Sequence, residues 1–268
     1  MFDNTCKFLA ETFPTDFASW IFWEPIPLTE LKPSELSSEP IRADSLIFLT
    51  SAAIILHIEF QTRPDENIFL RMLDYWIRLR RKFPNKEIHQ VVIYLCPSNS
   101  PLVKQTNYSS ETTNHTFQVI RLWEQSPQTL QQYPGLLPFI ALCQTNDPEA
   151  ELRQAVQKIE AIDDREVKAN LAAAAYIISG LALDQEIIQR LLRREVMRES
   201  VTYQEILREG EAKGLAEGEA KGEIKATHQI ALNMLRSGIA LDLIAQFTGL
   251  SIEQVQDLSS LSTEIDAN

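Results

Sequence analysis

Between Arg42 and Gln61 the chain reads R-A-D-S-L-I-F-L-T-S-A-A-I-I-L-H-I-E-F-Q. Two runs rich in β-branched and aromatic residues, 44–50 and 53–60, flank Thr50-Ser51-Ala52, a weak turn signal without Gly or Pro. This pattern predicts a β-hairpin, and with it a sheet. Three polar residues stand out in it: Asp44, Glu59 and Gln61. Side chains two apart on a strand share a face, so Glu59 and Gln61 point one way and Ile58 and Phe60 the other. If the hairpin is symmetric about Ser51 and Ala52, Asp44 lies opposite Glu59. Opposed residues have Cβ atoms roughly 5 Å apart, and like charges there repel. Burying two such carboxylates requires a proton or a cation between them. Mg²⁺ (or Mn²⁺) suits that position, because a hard cation takes carboxylate oxygens and keeps several waters. Asp44 and Glu59 are therefore the candidate metal ligands, in a register that the turn length decides.

Around the hairpin the pattern is a mixed α/β one. Helices are expected over 3–12 and 15–23, separated by Pro14. Pro25, Pro27, Pro33 and Pro40 oppose regular helix over 24–41, leaving room for an edge strand near Ile26 to Leu31. A helix begins near Glu66, with Ile68, Leu70, Met72, Leu73, Trp76, Ile77 and Leu79 as its apolar stripe. The near-continuous run I-H-Q-V-V-I-Y-L at 88–95 suits a strand buried on both faces. Pro97 to Asn114 reads as a polar loop with a short hairpin, Phe117 to Trp123 as a strand, and Leu136 to Cys143 as a closing strand or short helix. Helix, hairpin, helix, strand, strand describes a mixed sheet flanked by helices.

After residue 145 no comparable β run occurs. Helices are expected at 148–161, 164–180 and 184–196, with Asp163-Asp164 as a cap and Ala169 to Ala175 strongly helix-favouring. The longest apolar run, Leu171 to Leu183, is too short to span a bilayer, so no membrane contact is expected. The chain thus divides into an α/β domain (1–145), a helical extension (146–197), a charged segment (198–226) and a small helical tail (227–268). In the charged segment Gly210, Gly214, Gly218 and Gly222 recur every four residues, and Glu209–Lys213 and Glu217–Lys221 are favourable pairs. A marginal helix able to pair with a second copy is expected there, making the C-terminal helices the candidate homo-oligomer contact.

The 268 residues carry a net charge of −12. Phosphate binding is driven by Lys and Arg, so this balance opposes broad nucleic-acid affinity and demands a local basic patch. The helix after the hairpin supplies one: Arg71, Arg78, Arg80, Arg81 and Lys82, with Lys86 just beyond. Arg71, Arg78, Arg81 and Lys82 are the candidates for DNA-backbone contacts, weighed against a plain solvated face. Cys6, Cys96 and Cys143 lack C-x-x-C spacing, which fits a reducing cytoplasm and no zinc site. No basic-then-apolar leader pattern opens the chain.

Asp44 followed by Glu59-x-Gln61 on adjacent strands resembles the active-site core of the PD-(D/E)XK nuclease superfamily. The wording around it, D-N-T-C-K-F-L-A-E at 3–11, R-A-D at 42–44, L-H-I-E-F-Q-T-R-P-D at 56–65, L-R-M-L-D-Y-W at 70–76 and H-Q-V-V-I-Y-L at 89–95, is similar to the bacterial Rpn family of recombination-promoting nucleases, also labelled putative transposases. The resemblance covers about residues 1–145, and Y-Q-E-I-L-R-E-G at 203–210 is also familiar from it. It implies a restriction-endonuclease-like core, an Mg²⁺-dependent endonuclease acting on DNA, and a role in recombination or mobile elements. Asp44, Glu59 and Gln61 would be the catalytic set, with an accessory acidic residue on the first helix: Asp3, beside Lys7, or more weakly Glu11. Ala43 replaces the usual Pro before the Asp. Gln61 replaces the superfamily's usual Lys; it can orient a water but brings no positive charge. The rival expectation is a catalytically weak or inactive nuclease fold acting as a binding, regulatory or self-associating module.

Two further features are weighed. His57 shares the parity of Glu59 and Gln61, and is read first as a structural residue and second as a ligand or base. The tail, I-A-L-N-M-L-R-S-G-I-A-L-D-L-I-A-Q-F-T-G-L-S-I-E-Q-V-Q-D-L, has helix-turn-helix spacing, with Ser251 and Gln254 as a capping box. Its second helix carries Glu253 and Asp257 and no Lys or Arg, so protein docking is preferred over base reading.

Overall fold

The computed structural model describes residues 2–30, 46–192, 200, 204, 208, 227–228, 230–235, 237, 239–251 and 254, with 46–48 described as backbone alone. Asp44 and most of the Gly-patterned segment 198–226 lie outside the described residues. The chain forms two compact units, Met1–Ile206 and Leu207–Asn268.

The first unit opens with α1 (Phe2–Thr12) and α2 (Pro14–Phe22), which starts on Pro14 at its first turn. The strands β1 (Thr29–Glu30), β2 (Leu46–Thr50) and β3 (Ile54–Gln61) follow. Then come α3 (Ile68–Lys82) and β4 (Glu87–Tyr94), a small hairpin β5 (Asn107–Ser109) with β6 (Asn114–Thr116), and β7 (Gln118–Arg121). The main sheet has the order β1-β2-β3-β4-β7, with β1, β2 and β3 antiparallel and β3, β4 and β7 parallel. Joining parallel neighbours needs a crossover, and α3 provides it between β3 and β4. The short α4 (Pro127–Leu130) and a 3-10 segment, Pro134–Leu142, stand where a closing strand or helix was expected. Pro138 inside that segment removes an amide donor and opposes a longer α-helix. The unit continues with α5 (Pro148–Glu160), α6 (Arg165–Ser179) and α7 (Gln185–Leu191). Asp147 and Asp164 cap α5 and α6, accepting from the Ala150 and Val167 amides at 2.9 Å.

The hairpin register corrects the expected one. The turn is closed by the Ser51 amide donating to Ile54 O at 2.9 Å, which makes Ala52 and Ala53 its centre. Ser51 Oγ accepts from the Ala53 and Ile54 amides, and Lys86 Nζ donates to Thr50 Oγ1 at 2.7 Å and Ser51 O at 2.6 Å. These bonds hold a turn that has neither Gly nor Pro. Moving its centre by one residue shifts every pair by two, so Leu46, not Asp44, is the Cα partner of Glu59. A shift of two leaves the faces unchanged.

One face of β3, made by Leu56, Ile58 and Phe60, packs into the large core shared with α1, α2, α5, α6 and the 3-10 segment. Phe17, Phe60 and Phe139 join three of these elements, with ring centroids 5.8–6.1 Å apart. The helical extension beyond residue 145 thus shares the sheet's own core. Asp16 Oδ2 accepts the Gly135 amide at 2.7 Å across this core, and a Cβ at Gly135 would lie 2.4 Å from Phe13 Cβ. Only glycine allows that approach.

The other face of the sheet is covered by α3 and the small hairpin. α3 buries Ile68, Met72, Tyr75 and Leu79, spaced by three or four, together with Phe69. Leu70, expected in the stripe, is 54% exposed; it stands about 200° around the helix from Ile68. Among the described residues no helix is long and apolar enough to cross a membrane.

In the second unit a helix spans Leu241–Thr248 and ends at Gly249, whose φ of 73° is left-handed. Helical backbone at 230–235 packs Ala231 against Ile244, with Met234, Leu235, Leu241, Ala245 and Leu250 around them. Ser251 and Gln254 form both bonds of the expected capping box: Gln254 N to Ser251 Oγ at 3.2 Å and Ser251 N to Gln254 Oε1 at 2.8 Å.

Candidate functional site

The parity of β3 puts His57, Glu59 and Gln61 under α3. Glu59 is 1% exposed. A carboxylate so buried costs several kcal/mol unless compensated. Arg71, reaching down from α3, places Nε 3.4 Å from Glu59 Oε1, and His57 Nε2 stands 3.7 Å from the same oxygen. Glu59 Oε2 is buried and has no hydrogen-bond partner among the described residues. Nearly all buried polar atoms in proteins have one, so this oxygen requires an explanation.

Arg71 is a bridge. Its Nη1 donates to Asp65 Oδ2 at 3.2 Å, while Asp65 Oδ1 accepts the Asn67 amide at 2.9 Å where the loop enters α3. Tyr75 packs edge-on against His57 at 5.3 Å. Burial, and then the Glu59 charge, hold its phenol above the usual range. Tyr94, the Cα partner of Gln61, is raised by burial and then by Asp65. Gln61 itself is half-buried at the end of β3. Further along β4, Gln90 Nε2 lies 2.8 Å from both Met72 O and His57 Nδ1, and Gln90 Oε1 lies 2.7 Å from His115 Nε2. Burial, and then the neighbouring His57, lower the pKa of His115.

The donor set suits a hard cation at one point. Glu59 Oε2 is a carboxyl oxygen, buried and without a hydrogen-bond partner among the described residues, with the Gln61 amide on the same face. Among the described residues no group of three or more His, Cys, Asp and Glu side chains converges as a metal site.

The second unit carries a family resemblance. Residues 225–260 match the family model described as "Rpn/YhgA-like nuclease family, C-terminal HTH domain". Over that span the chain is similar to the Rpn/YhgA-like nuclease family, which supports kinship with it. No curated protein and no solved structure matches it. The matched span contains the Leu241–Thr248 helix, the left-handed Gly249 and the Ser251 cap, as helix-turn-helix spacing requires.

In this chain the expected site residues are distributed unevenly. Glu59 and Gln61 share one face of β3. Asp44 lies outside the described residues. Asp3 and Lys7 sit on α1, which covers the opposite face of the sheet, and Lys7 pairs with Glu11 at 3.8 Å. Arg71 turns inward to Glu59 and Asp65. Arg78 donates to Asp74 at 2.9 Å. Arg81 and Lys82 are exposed at the end of α3. Reading the sequence missed Asp65, Gln90 and His115. Asp65 stands in the quoted run L-H-I-E-F-Q-T-R-P-D and was legible as a helix-entry acid. Gln90 has the same parity relation to β4 that Glu59 has to β3, but that relation needs the parallel register, which no local pattern gives.

Proposed function

We propose that this protein is a metal-dependent DNA endonuclease with a restriction-endonuclease-like core. The observation that carries this reading is Glu59: a buried carboxylate near the end of a central strand, with one oxygen lacking a hydrogen-bond partner among the described residues and an amide, Gln61, on the same face. The mixed five-stranded sheet, with α3 crossing between β3 and β4, is compatible with such a core. Glu59, with Asp44 as the second carboxylate, would hold Mg²⁺ or Mn²⁺. Such an ion, when bound, supplies charge neutralisation at the scissile phosphate and a more acidic water. Gln61 orients the attacking water through its amide. Arg81 and Lys82 hold the phosphate backbone, which gives affinity without sequence preference. The match of residues 225–260 to a helix-turn-helix model favours a second DNA contact there over the protein docking expected from the acidic second helix, and the family's name supports nuclease chemistry. A role in recombination or mobile elements follows from the same kinship.

One observation favours a second reading. Arg71 already neutralises Glu59, so a family member that has lost catalysis could keep this geometry as a binding module. Plasmid nicking with Mg²⁺, Mn²⁺ or EDTA, in wild type and Glu59→Gln, separates the two. The nuclease reading expects metal-dependent nicking that Glu59→Gln abolishes; nicking equal in both proteins refutes it.

A further inference from the structure

Away from the polar groups under α3, a recess of about 240 Å³ lies at the carboxyl ends of the parallel strands β4 and β7. Leu95 lines it just past β4, and Trp123 just past β7. Cys143, Gln144 and Thr145 line it where the 3-10 segment ends, and Leu181 where α6 ends. In open α/β sheets, ligands sit in the crevice outside the strand carboxyl ends. The volume is below the roughly 300–1,000 Å³ of pockets for drug-sized molecules, so the recess has room for one small ring system.

The lining dictates the chemistry of the guest. It holds no Asp, Glu, Lys, Arg or His. Burial, and then Glu151, push the Cys143 thiol up to about 12, so it too stays neutral. A charged guest would find no partner there, and a neutral one is required. Trp123 supplies an aromatic ring, on which any base can stack. Gln144 supplies an amide. Its backbone N–H donates to Gln125 O at 2.9 Å, which anchors the residue. Its side chain is exposed and makes no hydrogen bond among the described residues. Thr145 Oγ1 accepts the Asp147 amide at 3.0 Å and keeps its own proton to donate. A carboxamide presents one acceptor beside one donor, and a nucleobase edge presents the mirror arrangement, the pairing by which Gln reads adenine. Arg63 completes the surroundings. It is exposed, and it opposes the rise that burial imposes on the Cys96 thiol, so it stands beside the wall between Leu95 and Pro97.

We propose that this recess binds a single nucleobase, stacked on Trp123 and paired along its edge with the Gln144 amide. The base comes from a free nucleoside or from an unpaired position in a DNA strand, and Arg63 favours the strand by offering its phosphate a cation. The inference goes beyond the nuclease reading and stands without it, because base binding is read whether or not the protein cuts.

The test uses the full chain. NMR of the indole N–H groups reads which tryptophan meets the ligand, with the Trp123 signal assigned by its loss in Trp123→Phe. Thymidine is expected to move the Trp123 signal and to leave those of Trp20, Trp23 and Trp76 in place. Gln144→Leu, at an exposed position, keeps the fold and is expected to weaken thymidine about 10-fold, as loss of a two-bond base contact does. Thymidine methylated on its ring N–H should bind wild type as weakly as thymidine binds Gln144→Leu. A merely apolar crevice would not tell the two nucleosides apart. Equal affinity for both, no effect of Gln144→Leu, or a Trp123 signal that thymidine does not move each overturns the proposal. A short oligothymidylate offers the same base on a strand. Tighter binding than thymidine assigns the site to a strand, and binding no tighter assigns it to the free base; both outcomes uphold the site. Arg63→Gln is expected to remove the gain, and a gain it leaves intact overturns the part given to Arg63. No metal and no cutting enter these readings. A protein that binds thymidine and never nicks DNA keeps the base site and loses the nuclease reading, and one that nicks without binding thymidine does the reverse.

Discussion

Leu56, Ile58 and Phe60 sit in a large apolar core, whereas His57 and Glu59, alternating with them on the same strand, sit among Arg71, Tyr75, Gln90 and Asp65. One face of β3 holds the fold together by area removed from water, at about 25 cal/mol per Å². The other gives up such area for groups that each need a named partner. Replacing the polar set by apolar residues of similar size would cost the fold little, since buried ion pairs are poor stabilisers against apolar isosteres.

The sharpest way to break this contrast is to exchange the faces' duties. Glu59→Gln is expected to lower metal-dependent nicking by about 1,000-fold, about 4 kcal/mol in the barrier, while urea unfolding shows no loss of stability. A stability loss as large as the activity loss would make Glu59 a structural group. Phe60→Ala should do the converse. It removes the ring shared by Phe17 and Phe139 and is expected to cost about 3–5 kcal/mol in chemical denaturation, with Mn²⁺ affinity per folded molecule unchanged. Arg71→Met should be smaller, about 1–2 kcal/mol, because the guanidinium is partly solvated. The same variant sharpens the choice between the two functional readings. If Glu59 binds a cation, adding Mg²⁺ restores the lost thermal stability, and no recovery in Mg²⁺ favours the binding-module reading.

The smallest effect expected is on pH. Burial lowers the pKa of His115 in the folded chain below its unfolded value, so the unfolded chain binds the extra proton first. Its contribution is fully present above the unfolded pKa and is lost as pH falls through the interval between the two values. Wild type should lose more stability than His115→Gln between pH 7.5 and 5.5. Parallel unfolding curves across that range would count against it.

What the sequence made legible was whatever has a local cause. The strands β3 and β4, the helices α3, α5 and α6, the Asp164 cap and the Ser251–Gln254 box each follow from period, propensity or side-chain reach within a few residues. The shared face of Glu59 and Gln61 followed from parity alone. The hairpin register did not, because the turn is fixed by Lys86, a residue 35 positions from Ser51 that no local rule connects to it. The inward role of Arg71 was hidden for a similar reason. On a helical wheel it belongs with Arg78, and only the depth of Glu59 draws it down. Gln90 and His115 depend on the parallel crossover and the small hairpin, both set by contacts distant in sequence.

That distance bears on how the chain is made. Translation delivers residue 59 long before residues 90 and 115, so a ribosome-bound chain carries the carboxylate without the groups that later surround it. Assembly of the centre waits on a non-local strand pairing, the slow kind of folding event. Until about half the polypeptide has emerged, it holds an acid with no partners from β4 or the small hairpin.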